Sequence, residues 1–595
     1  MSLPHKLIEQ RLQHAVQSVL SDADLSNVRV RPCPDPKFGD YQTTALMALA
    51  KTRKMNPRQL ATDVTAKLDV ADICEPVEIA GAGFLNFRLK GSALAEALNS
   101  AGQGEELFFE QSHLPRTVVV DFSSPNVAKP MHVGHIRSTI LGDSLARVLR
   151  LLGHRVITDN HLGDWGTQFG MLIVGWKTIL DQAALRADPL SEMDRVYKII
   201  SAKCNVKSPE FDQATRERAG AELVKLQSGD PENLAIWREM IRLSQAQFDT
   251  IYGRLGIRFE HTLGESFYNP RLQAIVDELM QRGIARESEG AKAVFSDGSL
   301  PPKEDPFLVQ KEGEWVAQPF IIQKTDGGFN YATTDLATLT YRLSEWHADE
   351  IIYVTDARQQ LHFRQLFAAF GRWRPEVKVA LAHVTFGSIL GEDGTPFKTR
   401  TGETIRLADL LDEAEERVYK VVSEKSPEMA ELDRRRIASV VGIGAVKYAD
   451  LLPNRQTDYV FNWEKILALD GNTAVYLLYA YARIRSIFRK AQKEGLDSRT
   501  PQASITFQSP QEERLSKHLL NLGLVLEAVA AEYRPNLLSN YLYELAGHFT
   551  AFFENCPVLR SEPAQRASRL MLCDLTARVL KQGLNLLGIE TLEQM

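Results

Sequence analysis

A short apolar strand, Thr117-Val-Val-Val-Asp-Phe122, runs into Ser123-Ser-Pro-Asn-Val-Ala-Lys-Pro-Met-His-Val-Gly-His135 and then into a helix with apolar residues at 136, 140, 141, 145, 148, 149 and 152. A further strand is expected at His154–Thr158. Strand, tight loop, helix and strand in this order make a βαβ unit, which commits this part of the chain to a parallel sheet with crossover helices. The loop also has a chemistry. A helix N-terminus offers unpaired N–H groups and the positive end of the helix dipole, and Gly134 keeps that end open to polyphosphate. ATP is the expected ligand.

His132 and His135, three apart at the helix start, can turn both rings to one side and meet phosphate oxygens. In-line attack on an α-phosphate needs positioning and stabilisation of charge on the equatorial oxygens, with a cation bridging the phosphates. Lys129 and Lys398 are the candidates for that charge. A zinc pair would need a third ligand, and none is adjacent. A satisfied helix cap is the duller alternative.

The rest of the chain bounds the answer. At 595 residues it predicts several domains, and 44% hydrophobic with 25% charged residues excludes disorder and collagen-like structure. The five cysteines are scattered, which suggests reduced thiols and no cysteine zinc site. No apolar run reaches the ~20 residues of a membrane span, and the first residues lack a signal-peptide pattern, so a cytoplasmic protein is expected. A net charge of −6 argues against indiscriminate nucleic-acid binding. Two local cationic regions, Lys51–Arg58 and residues 471–595, fit phosphate contacts or solvated helix faces equally well.

Residues 1–112 read as a small α+β module and 113–405 as the α/β region, interrupted at about 181–250 by charged helical segments. Candidate strands continue at Ala293–Phe295, Phe320–Gln323, Glu350–Thr355 and Val377–Phe386. Beyond 405 strand signals nearly vanish: 406–470 is expected to connect, and 471–595 to form a helical bundle with helices at Leu477–Lys490, Leu515–Ala531, Leu537–Phe553 and Arg566–Leu587.

The ordering of strand, S-P-N, K-P-M-H-V-G-H and helix resembles the ATP signature of class I aminoacyl-tRNA synthetases, and Ser123-Ser-Pro-Asn-Val-Ala-Lys-Pro130 resembles the arginyl-tRNA synthetases in particular. Further matching motifs are Asp159-Asn-His-Leu-Gly-Asp-Trp-Gly-Thr-Gln168, Gly264-Glu-Ser266, Tyr331-Ala-Thr-Thr-Asp-Leu-Ala337, Asp356-Ala-Arg-Gln359 with His362, and Leu469-Asp-Gly-Asn-Thr473. The resemblance implies a Rossmann-type catalytic core of parallel sheet, a small α+β N-terminal domain that meets the tRNA elbow, and an all-α C-terminal anticodon-binding bundle. It implies an arginine–tRNA ligase that forms arginyl adenylate from arginine and ATP with Mg²⁺, without a structural metal, and passes arginine to the terminal ribose of tRNA(Arg). A monomer is expected, and activation is expected to need the tRNA.

By the same resemblance Glu265, Tyr331 and Asp335 form the side-chain pocket, while Ser124, Asn126 and Gln359 hold the α-amino and carboxylate ends. A planar guanidinium asks for such carboxylates, and lysine would leave them poorly paired. His132, Gly134, His135, Lys398 and Phe386 are assigned to ATP. Phe84 and Asn86 are assigned to an unpaired tRNA base, and Tyr476, Tyr479 and Arg483 to the anticodon arm. The second class I signature is degenerate: the matching loop is Gly394-Thr-Pro-Phe-Lys-Thr-Arg-Thr-Gly402, and Lys129 is expected to supply the missing charge. The chain also reads Ala474-Val475-Tyr476 where the family usually has proline before that tyrosine. Rival readings are a small-molecule adenylating enzyme, a non-catalytic tRNA-binding relative, and a synthetase for another amino acid.

Overall fold

The computed structural model describes residues 3–104, 106–397, 404–496 and 504–595. Lys398 lies outside them. The chain forms two compact units, one of residues 112–466 and one that combines 1–111 with 467–595.

The first unit is built on five parallel strands. β1 (Thr117–Asp121) runs into α1 (Val133–Leu151) and β2 (Arg155–Asn160). A helical insertion ends in α2 (Pro231–Leu255) and is followed by β3 (His261–Thr262), α3 (Glu265–Gln281), α4 (Tyr331–Ser344), β4 (Glu350–Asp356), α5 (Gln360–Trp373) and β5 (Ala380–Phe386). The sheet order is β5-β4-β1-β2-β3, with every pairing parallel. The order reverses between β1 and β4, so the carboxyl ends of these two strands open the crevice where a doubly wound sheet holds its ligand.

Of the four candidate strands beyond the insertion, only those at Glu350 and Val377 join this sheet. Ala291–Val294 and Phe320–Gln323 pair antiparallel, with Ala285–Ser288, in a separate three-stranded sheet. A hairpin, Leu308–Lys311 with Glu314–Ala317, stands beside it in the chain. These segments feed α4, whose Leu336, Ala337 and Leu339 pack with Ile351, Phe363, Leu366 and Trp373 in one continuous core.

α1 is buried on nearly every side, more than an amphipathic helix requires. A Cβ at Gly142 would fall 2.1 Å from the Phe122 ring, so glycine lets the helix lie close against the end of β1. Its polar residues find partners: Ser138 donates to Val354 O (2.6 Å), and Arg137 pairs with buried Asp450 (3.0 Å) while donating to Gly387 O (2.8 Å) and Thr457 O (3.1 Å). That guanidinium anchors the segment after β5, where Ile389–Leu390 pairs with Tyr459–Val460, to the helix carrying the histidines.

Among the described residues of the second unit, a four-stranded antiparallel sheet and four helices precede five C-terminal helices. The expected helix at Leu515–Ala531 is two helices, Pro510–Leu519 and Leu522–Glu532. The break lets the Gly523 N–H donate to Phe108 O (2.8 Å), an approach so close that a Cβ there would lie 2.6 Å from that oxygen. Without proline before Tyr476 the helix Ala474–Lys493 still begins there: Thr473 caps it by accepting the Tyr476 N–H, and Val475 sits in its first turn. Among the described residues no helix is long and apolar enough to cross a membrane.

Candidate active site

The loop after β1 is a left-handed turn made without glycine. Ser123, Ser124 and Ala128 have φ of 73°, 47° and 64°, a conformation that costs each about 1 kcal/mol or more. Each strained residue has its N–H captured by a side chain from elsewhere: Ser123 by Ser138 Oγ (2.8 Å), Ser124 by Asn160 Oδ1 (3.0 Å), Ala128 by Ser244 Oγ (2.9 Å). Ser244 lies on α2, whose Tyr252 hydroxyl also bonds Ser123 Oγ (2.8 Å) and accepts from Asn160 (3.1 Å). The helical insertion therefore braces the site and does more than interrupt the α/β pattern.

The turn delivers the chain to the histidines. His132 is the N-cap of α1; its Nδ1 accepts the Gly134 N–H (3.0 Å), and its own N–H donates to His135 Nδ1 (3.1 Å). The rings lie 4.0 Å apart. Each Nδ1 is an acceptor, so in the neutral ring the proton sits on Nε2, and the helix start presents two Nε2–H donors. Burial, with Arg358 and Lys129 nearby, lowers the His132 pKa, and burial beside His132 lowers that of His135 to about 3. Both are neutral at physiological pH. One imidazole thus caps the helix at Nδ1 and carries its proton at Nε2. Gly134 acquires a further reason: a Cβ there would lie 2.8 Å from His132 Cε1 and drive the ring from its cap.

Lys129 stands over the Tyr197 ring (4.5 Å) and Arg358 is held in a two-pronged pair by Asp356 (2.9 Å on each prong), at the carboxyl end of β4. The segment beyond the degenerate loop returns here, since Val133 N–H donates to Ile405 O (3.0 Å) and Leu407 N–H to Met131 O (2.9 Å). Phe386 closes β5 with its ring buried near the Arg137 guanidinium (5.9 Å).

Beneath the turn, Arg342 is fully buried and donates to Asp121 (2.6 Å) and Asp159 (2.8 Å), tying α4 to the ends of β1 and β2. Ser124 Oγ donates to the other oxygen of Asp121 (3.1 Å), so its remaining lone pairs can only accept. Asn126 is exposed and covers Gly163, where a Cβ would fall 2.3 Å from Asn126 Oδ1. Gln359 is exposed at the start of α5.

Glu265 opens α3, and its N–H donates to Leu162 O (3.1 Å). Burial pushes its carboxyl up to about 7; His161 pulls the other way, and the charges of Asp335 and Asp164 add to the rise. Tyr331 (58% exposed) and Asp335 share the first turns of α4, and Asp335 accepts a hydrogen bond from His362 on α5. Glu265, Asp335, Tyr331 and His362 thus gather at one place. Asp164, which accepts from Ser266 N (2.8 Å) and Oγ (2.6 Å), seats the start of α3 beside them. Among the described residues no group of three His, Cys, Asp or Glu could hold a metal ion.

In the second unit Asn86 lies on the strand Phe84–Phe87, paired on both sides, and is 5% exposed. Phe84 is half-buried, and the open ring of the module is Phe38 (47% exposed) with Lys37 over it (4.7 Å). On the helix Ala474–Lys493, Tyr479 is exposed, Tyr476 is half-buried against Tyr543, and Arg483 covers Phe553 (4.2 Å).

A parallel β5-β4-β1-β2-β3 sheet with an H-x-G-H helix at its switch point defines the catalytic architecture of a class I aminoacyl-tRNA synthetase. Residues 96–463 match the tRNA synthetases class I (R) catalytic domain, 477–595 the DALR anticodon binding domain, and 6–89 the arginyl tRNA synthetase N-terminal domain. Similar proteins include an arginine–tRNA ligase of Synechococcus elongatus, 47% identical and covering 95% of this chain and 94% of the relative. Another, from Chromobacterium violaceum, is 44% identical over 99% and 100%. Among solved structures, the arginyl-tRNA synthetase of Plasmodium falciparum superposes with a TM-score of 0.81 at 29% identity over the whole of both chains. That of Thermus thermophilus has the same fold, with a TM-score of 0.79 at 24% identity, covering 99% of this chain and 100% of that one. The chain belongs to the arginyl-tRNA synthetases, the class I arginine–tRNA ligases.

Proposed function

We propose the following division of labour for the ligase reaction. The observation that carries it is the histidine pair with both Nδ1 atoms engaged, which leaves two Nε2–H donors at the N-terminus of α1, together with the carboxylates of Glu265 and Asp335 gathered in the same unit. ATP lies with its phosphates at the N-terminus of α1. The arginine guanidinium enters between Glu265 and Asp335 against Tyr331, and its charge offsets the burial and, with it, the neighbouring carboxylates that raise Glu265. Ser124 accepts from the α-ammonium group, and Asn126 and Gln359 orient the main-chain end.

The arginine carboxylate then attacks the α-phosphorus, the bond to the bridging oxygen breaks, and pyrophosphate leaves with the electron pair. Charge gathering on the equatorial oxygens meets the two imidazole N–H groups and the helix dipole. Lys129 and Lys398 offset the charge on pyrophosphate, joined by Arg358, and Mg²⁺ accompanies ATP. The terminal ribose hydroxyl of tRNA(Arg) next attacks the adenylate carbonyl, losing its proton as AMP departs. Tyr476, Tyr479 and Arg483 contact the anticodon arm and Phe84 with Asn86 the elbow, within domains at 1–112 and 471–595 flanking the catalytic region 113–405 and the connecting segment 406–470 in the chain. The protein acts as a cytoplasmic monomer, with the tRNA completing the site.

Arginine-dependent ATP–pyrophosphate exchange with Mg²⁺, with and without a total tRNA pool, tests this. Exchange is expected with arginine alone among arginine, lysine, glutamine and cysteine, and only when tRNA is present. Exchange with lysine, or none from folded protein that binds tRNA, refutes it.

A further inference from the structure

His362 lies on the first turn of α5, three residues beyond Gln359, and its Nε2–H donates to Asp335 Oδ2 at 2.5 Å. The ring is caged: Tyr331, Phe363 and Phe320 have centroids 4.8, 5.2 and 5.6 Å away. Its Nδ1 is buried with no partner, so Asp335 is the polar anchor of the imidazole among the described residues. A histidine so enclosed has little freedom to turn, and the carboxylate bonded to it inherits that rigidity.

An ionised carboxylate has about four lone-pair directions, and its terminal torsion is a broad, nearly two-fold rotor. His362 occupies one direction on Oδ2 and stops the rotor. Both oxygens still have an edge free, which is what a guanidinium fork needs; an ammonium, as a point charge, is indifferent to the plane of the carboxylate. Resting on the assignment of Asp335 to the arginine side chain, we propose that His362 is a positioning residue that sets the plane of the Asp335 carboxylate and thereby confers selectivity for a guanidinium over an ammonium.

The test uses the full-length enzyme with tRNA and two variants of similar polarity. In His362→Gln the amide nitrogen reaches the place of Nε2; in His362→Asn it falls short. For H362N the arginine KM should rise about 10-fold or more, the loss of one charge-assisted contact, with kcat and the ATP KM within about twofold. H362Q should restore most of the arginine KM. The inhibition constant of lysine should barely move in either, and thermal unfolding checks that both fold alike. Equal arginine KM values for H362N and H362Q, or a lysine constant that weakens in step with arginine, overturns the proposal. Asp335→Asn separates the two layers: if it leaves the arginine KM unchanged, the pocket assignment itself fails, whereas a raised KM for D335N with a wild-type value for H362N removes only His362.

Discussion

Arginine binding should depend on pH through Glu265. Its carboxyl, held at about 7 by burial with Asp335 and Asp164 adjacent, is largely protonated below that value and ionised above it. The arginine guanidinium stays charged throughout this range, so only the ionised carboxylate offers it full pairing. With a pKa near 7, about one-eleventh of the carboxyl is ionised at pH 6 and about ten-elevenths at pH 8. The arginine Kd should therefore be roughly 10-fold weaker at pH 6, falling with unit slope and levelling above pH 7. Near pH 7 each arginine should expel about half a proton. Titration calorimetry in two buffers of different ionisation enthalpy measures both quantities at once. Glu265→Gln should flatten the profile and, at pH 8, weaken binding by roughly 10- to 100-fold, the worth of a charge-assisted hydrogen bond. A wild-type Kd that does not change between pH 6 and 8, or a slope that survives in E265Q, would refute the reasoning.

Three further outcomes follow from the site. His135→Asn keeps an acceptor near Nδ1 but removes the Nε2–H donor, so kcat for pyrophosphate exchange should fall about 100-fold or more with the ATP KM little changed; because His135 is lowered to about 3, protonation of that ring should cause no loss of wild-type kcat between pH 8 and 5. Gly134→Ala should displace the His132 ring, costing about 1 kcal/mol in urea unfolding along with a similar fall in exchange; full activity in G134A would sink the cap argument. Arg342→Met leaves two aspartates buried without their cation and should cost about 3–5 kcal/mol in urea unfolding at pH 7; a loss under about 1 kcal/mol would show that the cluster does not hold the strand ends together.

The βαβ unit with the helix that carries the two histidines was legible in the sequence because its signals are local. An apolar run, a turn and a 3.6-residue period all fall within 117–152, and the order of motifs identifies the family. The features that shape the pocket are different in kind. Asp121, Asp159 and Arg342 are far apart in the chain, and an arginine near the end of an amphipathic helix reads as a solvated residue; only folding brings the three together. The same holds for Ser244 and Tyr252, polar residues on an inserted helix whose periodicity does not mark the hydroxyls that hold the turn after β1.

His132 shows why the dull and the functional readings of a motif need not compete. A helix N-terminus must satisfy its free N–H groups, and serine, threonine or aspartate would do so at least as well. Histidine is distinctive in having a second nitrogen: accepting the cap bond at Nδ1 assigns the proton to Nε2, so the structural bond fixes the tautomer that the proposed chemistry at phosphate requires. The Nε2–H donors are then set before ATP arrives, with their rings already desolvated and neutral, and need no reorganisation as charge builds on the α-phosphate. The spacing of the motif follows from the same geometry. His135 must stand at the third helical position to receive the His132 N–H, and the residue between them that the His132 ring overlies must lack a side chain, which makes Gly134 part of the proton arrangement as much as of the phosphate cradle.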